Sequence, residues 1–318
     1  MSEARVAVVI PSWNSIGLLP DCLRSLEREE LPLELLVVDN GSDDGTPAYL
    51  ERESVAHLSL PENLGFARAI NLGVAETRAP FVLVLNADTV VEPGALAPLL
   101  AALEADSELA GVQPRILQLE PEAGPRQVDS ARLYSAGQAL RSDGRAVELG
   151  AGEDQAPRYL RAGEVFGVCG AACLLRRQAF EALGGYDESY FAFYEDVDLN
   201  VRARIGGWRF GYVPEAVVWH LGNASWMAGA RRPSAWNARL VARNRIVTQA
   251  RFVPPRAWPR IVAVETGSLL RAARQRRLGA TLRGKLEGLR RLPAALRERR
   301  RLAAKGDPER ARRWLGRV

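Results

Sequence analysis

Short apolar runs alternate with amphipathic segments through the first 120 residues of the chain. The runs are rich in branched residues and are bounded by Pro, Asn, Asp or Gly, a pattern typical of strands buried in a parallel sheet. They cover residues 5–10, 33–38, 55–60 and 81–85, and helical spacing is found at residues 18–28, 46–52, 67–77 and 94–105. This order predicts an α/β fold with a doubly wound, mostly parallel sheet.

A polar loop follows each of the four predicted strands. In chain order the loops read PSWN, DNGSDDGT, PENLG and NAD. In a doubly wound sheet, the loops at the carboxyl ends of the strands form the ligand crevice. We therefore expect these four loops to lie together at one edge of the sheet and to contain the functional site.

The remainder of the chain has a less regular pattern. Residues 118–164 are rich in Gly, Pro, Glu and Gln, and we expect a variable excursion there with one hairpin around Gly144. A further set of elements is predicted after it, namely a strand at 165–175, a helix at 178–183, a helix ending at Gly206 and Gly207, and strands at 208–213 and 217–220. From about residue 235 onward the spacing predicts helices.

Charge divides the chain into two parts. Residues 1–229 contain 18 basic and 33 acidic side chains, whereas residues 230–318 contain 25 basic and 5 acidic ones. Two charge regimes in one chain indicate two tasks. We therefore predict an acidic α/β domain over residues 1–229 and a basic, mainly helical region over residues 230–318.

The basic region suggests a partner of its own. Residues 258–302 mix Leu, Ala and Val with Arg at helical spacing, which is typical of an amphipathic helix on a membrane surface. Two alternatives stay open, which are a helical face packed on the acidic domain and a dimerisation helix. Nucleic-acid binding is not expected, because aromatic residues are sparse there and no recognition motif is present.

Cysteine content and apolar run length favour a cytoplasmic protein. Cys22, Cys169 and Cys173 are too few, and odd in number, for a disulfide framework, so we expect a reducing compartment. We expect Cys169 and Cys173 to be core residues. No apolar run approaches the roughly 18–20 residues that span a bilayer, and the N-terminal stretch does not resemble a signal peptide.

Three polar residues at strand ends are candidates for ligand binding. Asp39 ends the second predicted strand, where a carboxylate can accept hydrogen bonds from a ribose or a base. The first strand–helix turn lacks the glycine pattern of dinucleotide-binding folds, so no dinucleotide cofactor is expected. Asn86 and Asp88 alternate across one residue and should both face the crevice, where one carboxylate and substrate phosphates can hold Mg²⁺ or Mn²⁺. Turn and helix-cap roles are the alternatives for all three.

A second group of candidates lies later in the chain. Glu195, Asp196 and Asp198 fall at a predicted helix start beside four aromatic residues. Carboxylates packed against aromatic walls have raised pKa values and suit general-base work, although the helix dipole also favours acids at this place. His220 follows a predicted strand and can serve either as a metal ligand or as a structural hydrogen-bonding group.

Taken together, the motifs resemble family 2 glycosyltransferases, and within them the rhamnosyltransferase-like bacterial enzymes. The resemblance covers residues 5–225 and rests on VAVVIPSWN, LLVVDNGSDDGT, NLGFARAINLGV, VLVLNADTVV, the long segment from VCGAACLL to RIGGWRFGYVP, and VVWHLGNAS. It implies a GT-A fold, a Rossmann-like doubly wound sheet, in a metal-dependent enzyme. It also implies transfer of a sugar from a nucleoside diphosphate with inversion at the anomeric carbon.

The resemblance further implies roles for individual residues. Asp196 is expected to be the catalytic base, with Glu195 and Asp198 supporting it. Asp88 and His220 are expected to hold the metal ion, Mg²⁺ or Mn²⁺. The residues expected to contact the donor are Pro11, Asn14, Asp39, Asn63, Gly65, Arg68, Asn86 and Asp88.

One departure from the family pattern concerns the metal motif. The usual Asp-x-Asp signature reads Asn86-x-Asp88 here, a variant that also occurs in the rhamnosyltransferase-like group. The implied donor is a dTDP- or UDP-sugar, with rhamnose as the sugar. The implied acceptor is a glycan or polyprenyl-diphosphate-linked hydroxyl in cell-surface polysaccharide synthesis, which would place the enzyme at the cytoplasmic face of the membrane.

Two other functions stay open. A nucleotidyltransferase of related fold would need a Gly-rich phosphate loop with Arg and Lys after the first strand, and the segment PSWNSIGLLP lacks one. A non-catalytic protein that binds sugar nucleotides or glycans would not need the acidic and histidine residues that are present together at Asp88, Asp196 and His220.

Overall fold

A computed structural model describes residues 4–120, 126–222 and 235–317 of the chain. Its strands are β1 (Val6–Ser12), β2 (Leu33–Asp39), β3 (His57–Ser59), β4 (Phe81–Leu85), β5 (Thr89–Val91), β6 (Leu109–Gln118), β7 (Leu133–Ser135), β8 (Gln138–Leu140), β9 (Ala146–Glu148), β10 (Gly163–Val165), β11 (Ala172–Arg176) and β12 (Arg209–His220). Its α-helices are α1 (Leu19–Leu26), α2 (Thr46–Arg52), α3 (Phe66–Glu76), α4 (Leu96–Ala105), α5 (Arg177–Ala182), α6 (Glu195–Gly206), α7 (Ala235–Phe252), α8 (Trp258–Arg274), α9 (Leu278–Arg290), α10 (Leu292–Lys305) and α11 (Pro308–Arg312).

The main sheet has the order β10-β12-β6-β11-β4-β1-β2-β3, with β5 paired to β12 and β7 paired to β6. β1 pairs in parallel with β2 and β4, and β2 pairs in parallel with β3. These are the four strands predicted from the apolar runs, so the predicted doubly wound, mostly parallel sheet is confirmed. β6 and β12 also pair in parallel, whereas β11 runs antiparallel between β4 and β6.

Apolar side chains cover both faces of the sheet. Alternate residues of β1 pack on opposite sides, so that Val8 joins α1 and α4 in one cluster and Val9 joins α3 in the other. A strand buried on both faces is a nearly continuous apolar run, which explains why the first strands were recognisable in the sequence. Cys22, Cys169 and Cys173 are buried and unpaired, and Cys169 and Cys173 belong to these clusters as expected.

The excursion contains the predicted hairpin. β8 and β9 pair antiparallel, and the Arg141 amide donates to the Arg145 carbonyl at 2.8 Å across the turn. Gly144 occupies this turn with a φ of +79°, a value that glycine adopts without a steric penalty. The strand predicted at 165–175 is wrong as a single element, because it divides into β10 at the sheet edge and β11 near the sheet centre.

The chain between β10 and β11 crosses β12 and β6 and packs closely against α6. A Cβ atom on Gly167 would lie 2.3 Å from the Asn200 side chain, so only glycine fits there. The two strands predicted at 208–213 and 217–220 form one strand, β12, with an irregularity between Val213 and Val217. Pro214 lies at this irregularity, and proline lacks the N–H that a regular ladder requires.

The C-terminal part is helical, as predicted, and consists of α7 to α11. The stretch 261–302 was expected to form one amphipathic helix, but the chain turns twice and forms α8, α9 and α10. The first turn includes Arg276, which has a φ of 58°. In the part of the chain that the structure describes, no helix is both long and apolar enough to cross a membrane. The division at residues 229 and 230 remains a prediction.

The loop that directly precedes α6 has an unusual backbone. Phe191, Phe193 and Tyr194 have φ values of 67°, 67° and 73°, a region that costs a non-glycine residue about 1–3 kcal/mol. Asn244 of α7 donates from Nδ2 to three carbonyl oxygens of the segment 190–193, at distances of 2.7, 2.8 and 3.0 Å. α7 therefore holds this loop in its strained shape.

Ionic contacts tie α7 to α6 as well. Arg251 Nη1 donates to Asp198 Oδ1 and to Asp187 Oδ2, both at 2.7 Å. The other oxygen of Asp198 accepts from Arg202 Nε at 2.7 Å. Removing one partner of a buried ion pair leaves an uncompensated charge, so these contacts fix the position of α6 against α7.

Candidate active site

The carboxyl ends of β1, β2 and β4 meet at one edge of the sheet, as the loops predicted. Ser12 of β1 is in register with Asp39 of β2, and the Asn40 amide donates to the Ser12 carbonyl at 2.8 Å. A small pocket of about 50 Å³ at this edge is lined by Pro11, Ser12, Trp13, Asn40, Phe66, Asn86, Ala87 and Asp88. The loops after the first, second and fourth strands therefore contribute to one crevice.

Two polar atoms at the ends of β1 and β2 lack a partner. Asp39 is 3% exposed and Ser12 is 1% exposed. Among the described residues, neither Asp39 Oδ1 nor Ser12 Oγ has a hydrogen-bond partner. Because buried polar groups are normally hydrogen-bonded, these atoms are suited to a polar ligand in the crevice.

The other predicted donor contacts have different surroundings. Asn14 bridges two loops, because its Nδ2 donates to Asp43 Oδ1 at 2.7 Å and its Oδ1 accepts from the Asp43 amide at 2.9 Å. Asn63 Oδ1 accepts from the Gly65 amide at 2.9 Å. Arg68 is half exposed and its Nε lies 3.7 Å from Glu188 Oε2. These side chains shape the crevice loops rather than line the small pocket.

Gly65 begins α3 and allows a close approach between two loops. It has a φ of +89°, and a Cβ atom there would lie 2.6 Å from the Phe191 carbonyl oxygen. Asn40 joins the same contact, because its Oδ1 accepts from the Leu64 amide at 2.8 Å. The start of α3 is therefore packed directly against the strained loop that precedes α6.

Asn86 and Asp88 point in the same direction, as their alternation predicted. Asn86 Nδ2 lies 3.3 Å and Asp88 Oδ1 lies 3.1 Å from His220 Nε2. This arrangement arises because β5 pairs antiparallel with β12, in a register that places His220 opposite Thr89. Asp88 and His220 are both buried, so the structure brings together the two residues predicted to hold a metal ion.

The spacing of Asp88 and His220 fits a cation. A carboxylate oxygen and an imidazole nitrogen 3.1 Å apart repel each other through their lone pairs unless a proton or a cation lies between them. Two adjacent ligands of an octahedral ion at about 2.1 Å lie about 3 Å apart. No group of three or more His, Cys, Asp or Glu residues suited to a metal occurs within the described ranges. Substrate phosphate oxygens and water are suitable further ligands for such an ion.

Asp196 lies at the start of α6 and faces a larger cavity. Its Oδ2 accepts hydrogen bonds from the Gly170 amide at 3.0 Å and from Gln138 Nε2 at 2.7 Å. Its Oδ1 accepts from the Val197 amide at 2.7 Å. Burial raises the pKa of Asp196 above its ordinary value, although these hydrogen bonds oppose the shift. The side chain is therefore a stronger base than an exposed aspartate.

One cavity of about 260 Å³ contains the main candidates. Asp88, Glu195, Asp196 and His220 line it together with Phe66, Asn86, Tyr134, Gln138, Ala146, Val147, Glu148, Cys169, Gly170, Ala171, Ala192, Phe193, Tyr194, Val197 and Val241. The carboxylate of Asp196 and the Asp88–His220 pair therefore share one partly apolar space. In the sequence they lie in three separate segments of the chain.

The two acids beside Asp196 have different surroundings. Glu195 lines the cavity, and burial followed by the charge of Asp196 raises its pKa well above the ordinary value. Glu195 Oε2 has no hydrogen-bond partner among the described residues. Asp198 is fully buried and pairs with Arg202 and Arg251, so its side chain fastens α6.

Two cavity residues were missed from the sequence. Gln138 and Glu148 lie opposite each other in the β8–β9 hairpin, and both contribute to the cavity beside Asp196. They fall in the weakly periodic excursion, which gave no chemical motif. The predicted turn at Gly144 was the available signal, because pairing outward from that turn brings these two polar residues together.

The fold and the cavity define an α/β architecture with a candidate site at the carboxyl ends of parallel strands. The family model described as glycosyl transferase family 2 matches residues 7–184. This chain belongs to glycosyl transferase family 2, and it is therefore a glycosyltransferase.

Curated relatives place it near enzymes of cell-surface glycans. It is 33% identical to the N-acetylglucosaminyl-diphospho-decaprenol L-rhamnosyltransferase of Mycobacterium tuberculosis over 213 residues, covering 60% of this chain and 67% of the relative. It is 26% identical to the poly-beta-1,6-N-acetyl-D-glucosamine synthase of Staphylococcus aureus, covering 68% of this chain. The match spans only 50% of that synthase.

Solved structures share the fold. The mannosyltransferase PcManGT from Pyrobaculum calidifontis, in complex with GDP-Man and Mn²⁺, has a TM-score of 0.53 at 20% identity over 96% of this chain and 86% of that one. S. aureus TarS residues 1–349 give 0.52 at 14% identity over 88% and 90%. GalNAc-T7 with UDP, GalNAc and Mn²⁺ gives 0.60 at 17% identity over 78% and 48%. These similarities confirm the predicted GT-A fold.

Proposed function

We propose that this glycosyltransferase moves a sugar, with inversion, from a nucleoside diphosphate to a hydroxyl of a glycan or lipid-linked acceptor. The observation that carries the proposal is the single cavity shared by Asp196, Asp88 and His220. It places a strong base in the same space as a pair suited to a cation and its phosphates. The curated rhamnosyltransferase relative supports rhamnose as the sugar.

The donor would occupy the crevice at the ends of β1, β2 and β4. Asp39 Oδ1 and Ser12 Oγ, which have no partner in the described part of the chain, would bind the nucleoside. Pro11 and Asn86 line the pocket. Asn14, Asn63, Gly65 and Arg68 would act by holding the surrounding loops, and Arg68 is exposed enough to meet a phosphate. A dTDP- or UDP-sugar is the donor class we propose.

Asp88 and His220 would hold a divalent metal ion, Mg²⁺ or Mn²⁺. Their oxygen and nitrogen donors suit either ion, and their spacing fits two adjacent ligands. When bound, such an ion acts as a Lewis acid that neutralises the charge of the diphosphate leaving group. Asn86 replaces the first carboxylate of the usual Asp-x-Asp motif, and its side-chain amide lies 3.3 Å from His220 Nε2.

Asp196 would be the general base. Its Oδ2 already accepts two hydrogen bonds, whereas Oδ1 accepts one and keeps a lone pair for a proton. The acceptor oxygen would bond to the anomeric carbon as the bond from that carbon to the diphosphate breaks, and the hydroxyl proton would pass to Asp196. One displacement of this kind inverts the anomeric carbon. Glu195 would support the cavity wall, and Asp198 would orient α6.

Space for an acceptor adjoins the cavity. Val147 and Glu148 line both the catalytic cavity and a second cavity of about 980 Å³. A cavity of that volume accommodates several sugar residues. We therefore propose that the acceptor glycan approaches from the side of the β8–β9 hairpin.

The function is tested by incubating the purified protein with dTDP- and UDP-sugars, Mn²⁺ and a polyprenyl-diphosphate-linked N-acetylglucosamine. We expect release of nucleoside diphosphate that depends on the acceptor, with the added sugar in the inverted anomeric configuration. Release of pyrophosphate in a parallel incubation with a nucleoside triphosphate and a sugar 1-phosphate would instead support a nucleotidyltransferase. Nucleotide binding with no turnover of any donor would support the non-catalytic alternative.

The C-terminal helices would bring the enzyme to its lipid-linked acceptor. Four leucines spaced along one side of α9, namely Leu278, Leu282, Leu286 and Leu289, are 38%, 40%, 56% and 50% exposed. Exposed arginines, Arg274, Arg276, Arg283 and Arg290, lie beside them in the sequence. We propose that this leucine stripe contacts an anionic membrane surface, because apolar burial and attraction to lipid headgroups then act together.

Replacing Leu286 with Ser should weaken vesicle binding about tenfold, because a leucine buried in the interface contributes at most about 2 kcal/mol. Co-sedimentation with phosphatidylglycerol–phosphatidylcholine vesicles measures the change. Leu160→Ser is the matched control, since Leu160 is 49% exposed and lies outside the C-terminal helices. Equal binding of Leu286→Ser and Leu160→Ser, or no binding by the wild-type protein, would refute the membrane contact.

A further inference from the structure

One amide group connects Asp196 to a second carboxylate. Gln138 Nε2 donates to Asp196 Oδ2 at 2.7 Å and to Glu148 Oε1 at 3.0 Å. Gln138 Oε1 accepts from Asn200 Nδ2 at 2.8 Å, which fixes the orientation of the amide. Both N–H bonds of Gln138 are therefore used on the two carboxylates.

Glu148 is held in place from its other side. Its Oε2 accepts a hydrogen bond from Ser135 Oγ at 2.5 Å. Ser135 Oγ in turn accepts from Gln113 Nε2 at 2.8 Å, and Gln113 Oε1 accepts from the Cys169 amide at 2.6 Å. This network orients the Glu148 carboxylate toward Gln138, and the Cys169 side chain adds a further hydrogen bond to it.

We propose that Glu148 is a positioning residue for the base Asp196, acting through the Gln138 amide and through its own negative charge. This inference rests on the proposed function, in which Asp196 takes the acceptor proton. Glu148 orients the amide that holds Asp196 Oδ2, so that Oδ1 faces the cavity. Its charge also makes the ionised pair a stronger base than Asp196 alone.

The charges around the pair favour this role. The other titratable groups on the cavity wall are Asp88, Tyr134, Cys169, Tyr194, Glu195 and His220. Burial raises the pKa values of Tyr134 and Cys169 strongly, so both are uncharged near neutral pH. No Arg or Lys lines the cavity among the residues that the structure describes. The pair therefore has no nearby cation from the protein to neutralise it.

Burial, and then repulsion between the two carboxylates, sets the pH at which the pair takes up a proton. Burial, followed by the charge of Asp196, raises the pKa of Glu148 to about 7. Because the two carboxylates share one amide, this proton belongs to the pair rather than to one residue. Above that pH both carboxylates are ionised, and the pair can accept a proton. A general base works best when its pKa lies near the working pH, and the pKa of this pair lies near neutral pH.

The variant Glu148→Gln separates charge from shape. Its carbonyl oxygen can still accept from Gln138, and its amide can donate to Ser135 Oγ. We expect the acid limb of the kcat–pH profile to move about one pH unit lower. The reason is that Asp196 without the neighbouring charge of Glu148 is a weaker base and loses its proton at a lower pH. We expect kcat at pH 8 to fall about tenfold, with the KM for the nucleotide sugar unchanged.

Two further variants keep the test decisive. Glu148→Asp retains the charge, so its acid limb should stay near that of the wild-type protein even where kcat falls. Glu51→Gln removes an exposed carboxylate on α2, away from the cavity, and should change neither quantity. A lower Tm in Glu148→Gln with an unmoved acid limb would show that Glu148 is merely structural and would overturn the proposal.

A measurement without turnover distinguishes this inference from the proposed function. In protein labelled with ¹³C at the aspartate carboxyl carbons, the Asp196 signal should shift in two steps between pH 4 and 9 in the wild type. The upper step should vanish in Glu148→Gln. Two steps without sugar transfer would reject the proposed function but keep the coupled pair, whereas transfer with a single step would reject the coupled pair.

Discussion

Asp196→Asn is expected to lower kcat for sugar transfer by about 10²- to 10⁴-fold, the range that a general base contributes. The reason is that an asparagine amide cannot take the acceptor proton through the lone pair that Asp196 Oδ1 offers. The asparagine oxygen can still accept from the Gly170 amide, as Asp196 Oδ2 does at 3.0 Å. Donor binding should therefore survive, and the loss should fall on kcat.

Initial rates with saturating donor and acceptor, together with nucleotide-sugar binding by calorimetry, measure both quantities. Asp129→Asn is the matched control, because Asp129 is exposed in the segment 128–130 and lies outside the catalytic cavity. A variant Asp196→Asn that retains more than a tenth of the wild-type kcat would exclude Asp196 as the base and direct attention to Glu195 or Glu148.

Asp88→Ala is expected to abolish the metal-dependent part of nucleotide binding. In the wild-type protein, a nucleoside diphosphate at a hundred times its Kd raises the free energy of unfolding by about 2.7 kcal/mol. Most of that increase should require Mn²⁺ or Mg²⁺, because Asp88 Oδ1 and His220 Nε2 provide the protein's ligands 3.1 Å apart. Thermal denaturation with dTDP or UDP, with and without metal, measures the effect.

Each variant serves as its own reference, since the ligand-induced increase in Tm is compared with the same protein lacking ligand. His220→Ala should behave like Asp88→Ala, and the exposed Asp21→Ala should behave like the wild type. A metal-dependent increase that persists in Asp88→Ala would show that the cation is bound elsewhere. An increase that never depends on metal would contradict metal use altogether.

The first half of the fold was predictable because its signals are local. β1, β2 and β4 are apolar runs closed by turn residues, and strands buried on both faces have no other pattern. Asn86 and Asp88 could be placed on one side from alternation alone. His220 Nε2, within 3.3 Å of both side chains, could not be placed by spacing, since it comes from a strand more than a hundred residues later.

Long-range pairing limited the rest of the prediction. β11 lies antiparallel between β4 and β6, and nothing local in its sequence specifies those neighbours. The pairing of Gln138 with Asp196 joins residues 58 positions apart. The excursion was expected to be variable, but its hairpin lines part of the cavity that contains Asp196. This role was not predicted, because polar residues in a weakly periodic segment give no indication of their partners.

Residue spacing predicted the helices of the C-terminal region, but the charge bias of that region concealed its buried helix. α7 contains Arg243 and Arg251, both buried, so a high arginine content did not mean an exposed surface. Arg251 is satisfied by Asp187 and Asp198, which compensate its charge. An amino-acid count does not distinguish these buried arginines from the arginines on the exposed side of α9.

The contact between Asn244 and the strained loop before α6 has a consequence for the synthesis of the protein. The chain leaves the ribosome from its N-terminus at about 5–20 residues per second, so the sheet and the donor crevice can form while α7 is still being made. The segment 190–193 lacks its three hydrogen bonds from Asn244 until then. Under the proposed roles, a nascent chain would form its donor crevice before α7 fixes the loop that precedes the base Asp196, and α9, which carries the proposed membrane contact, would follow α7.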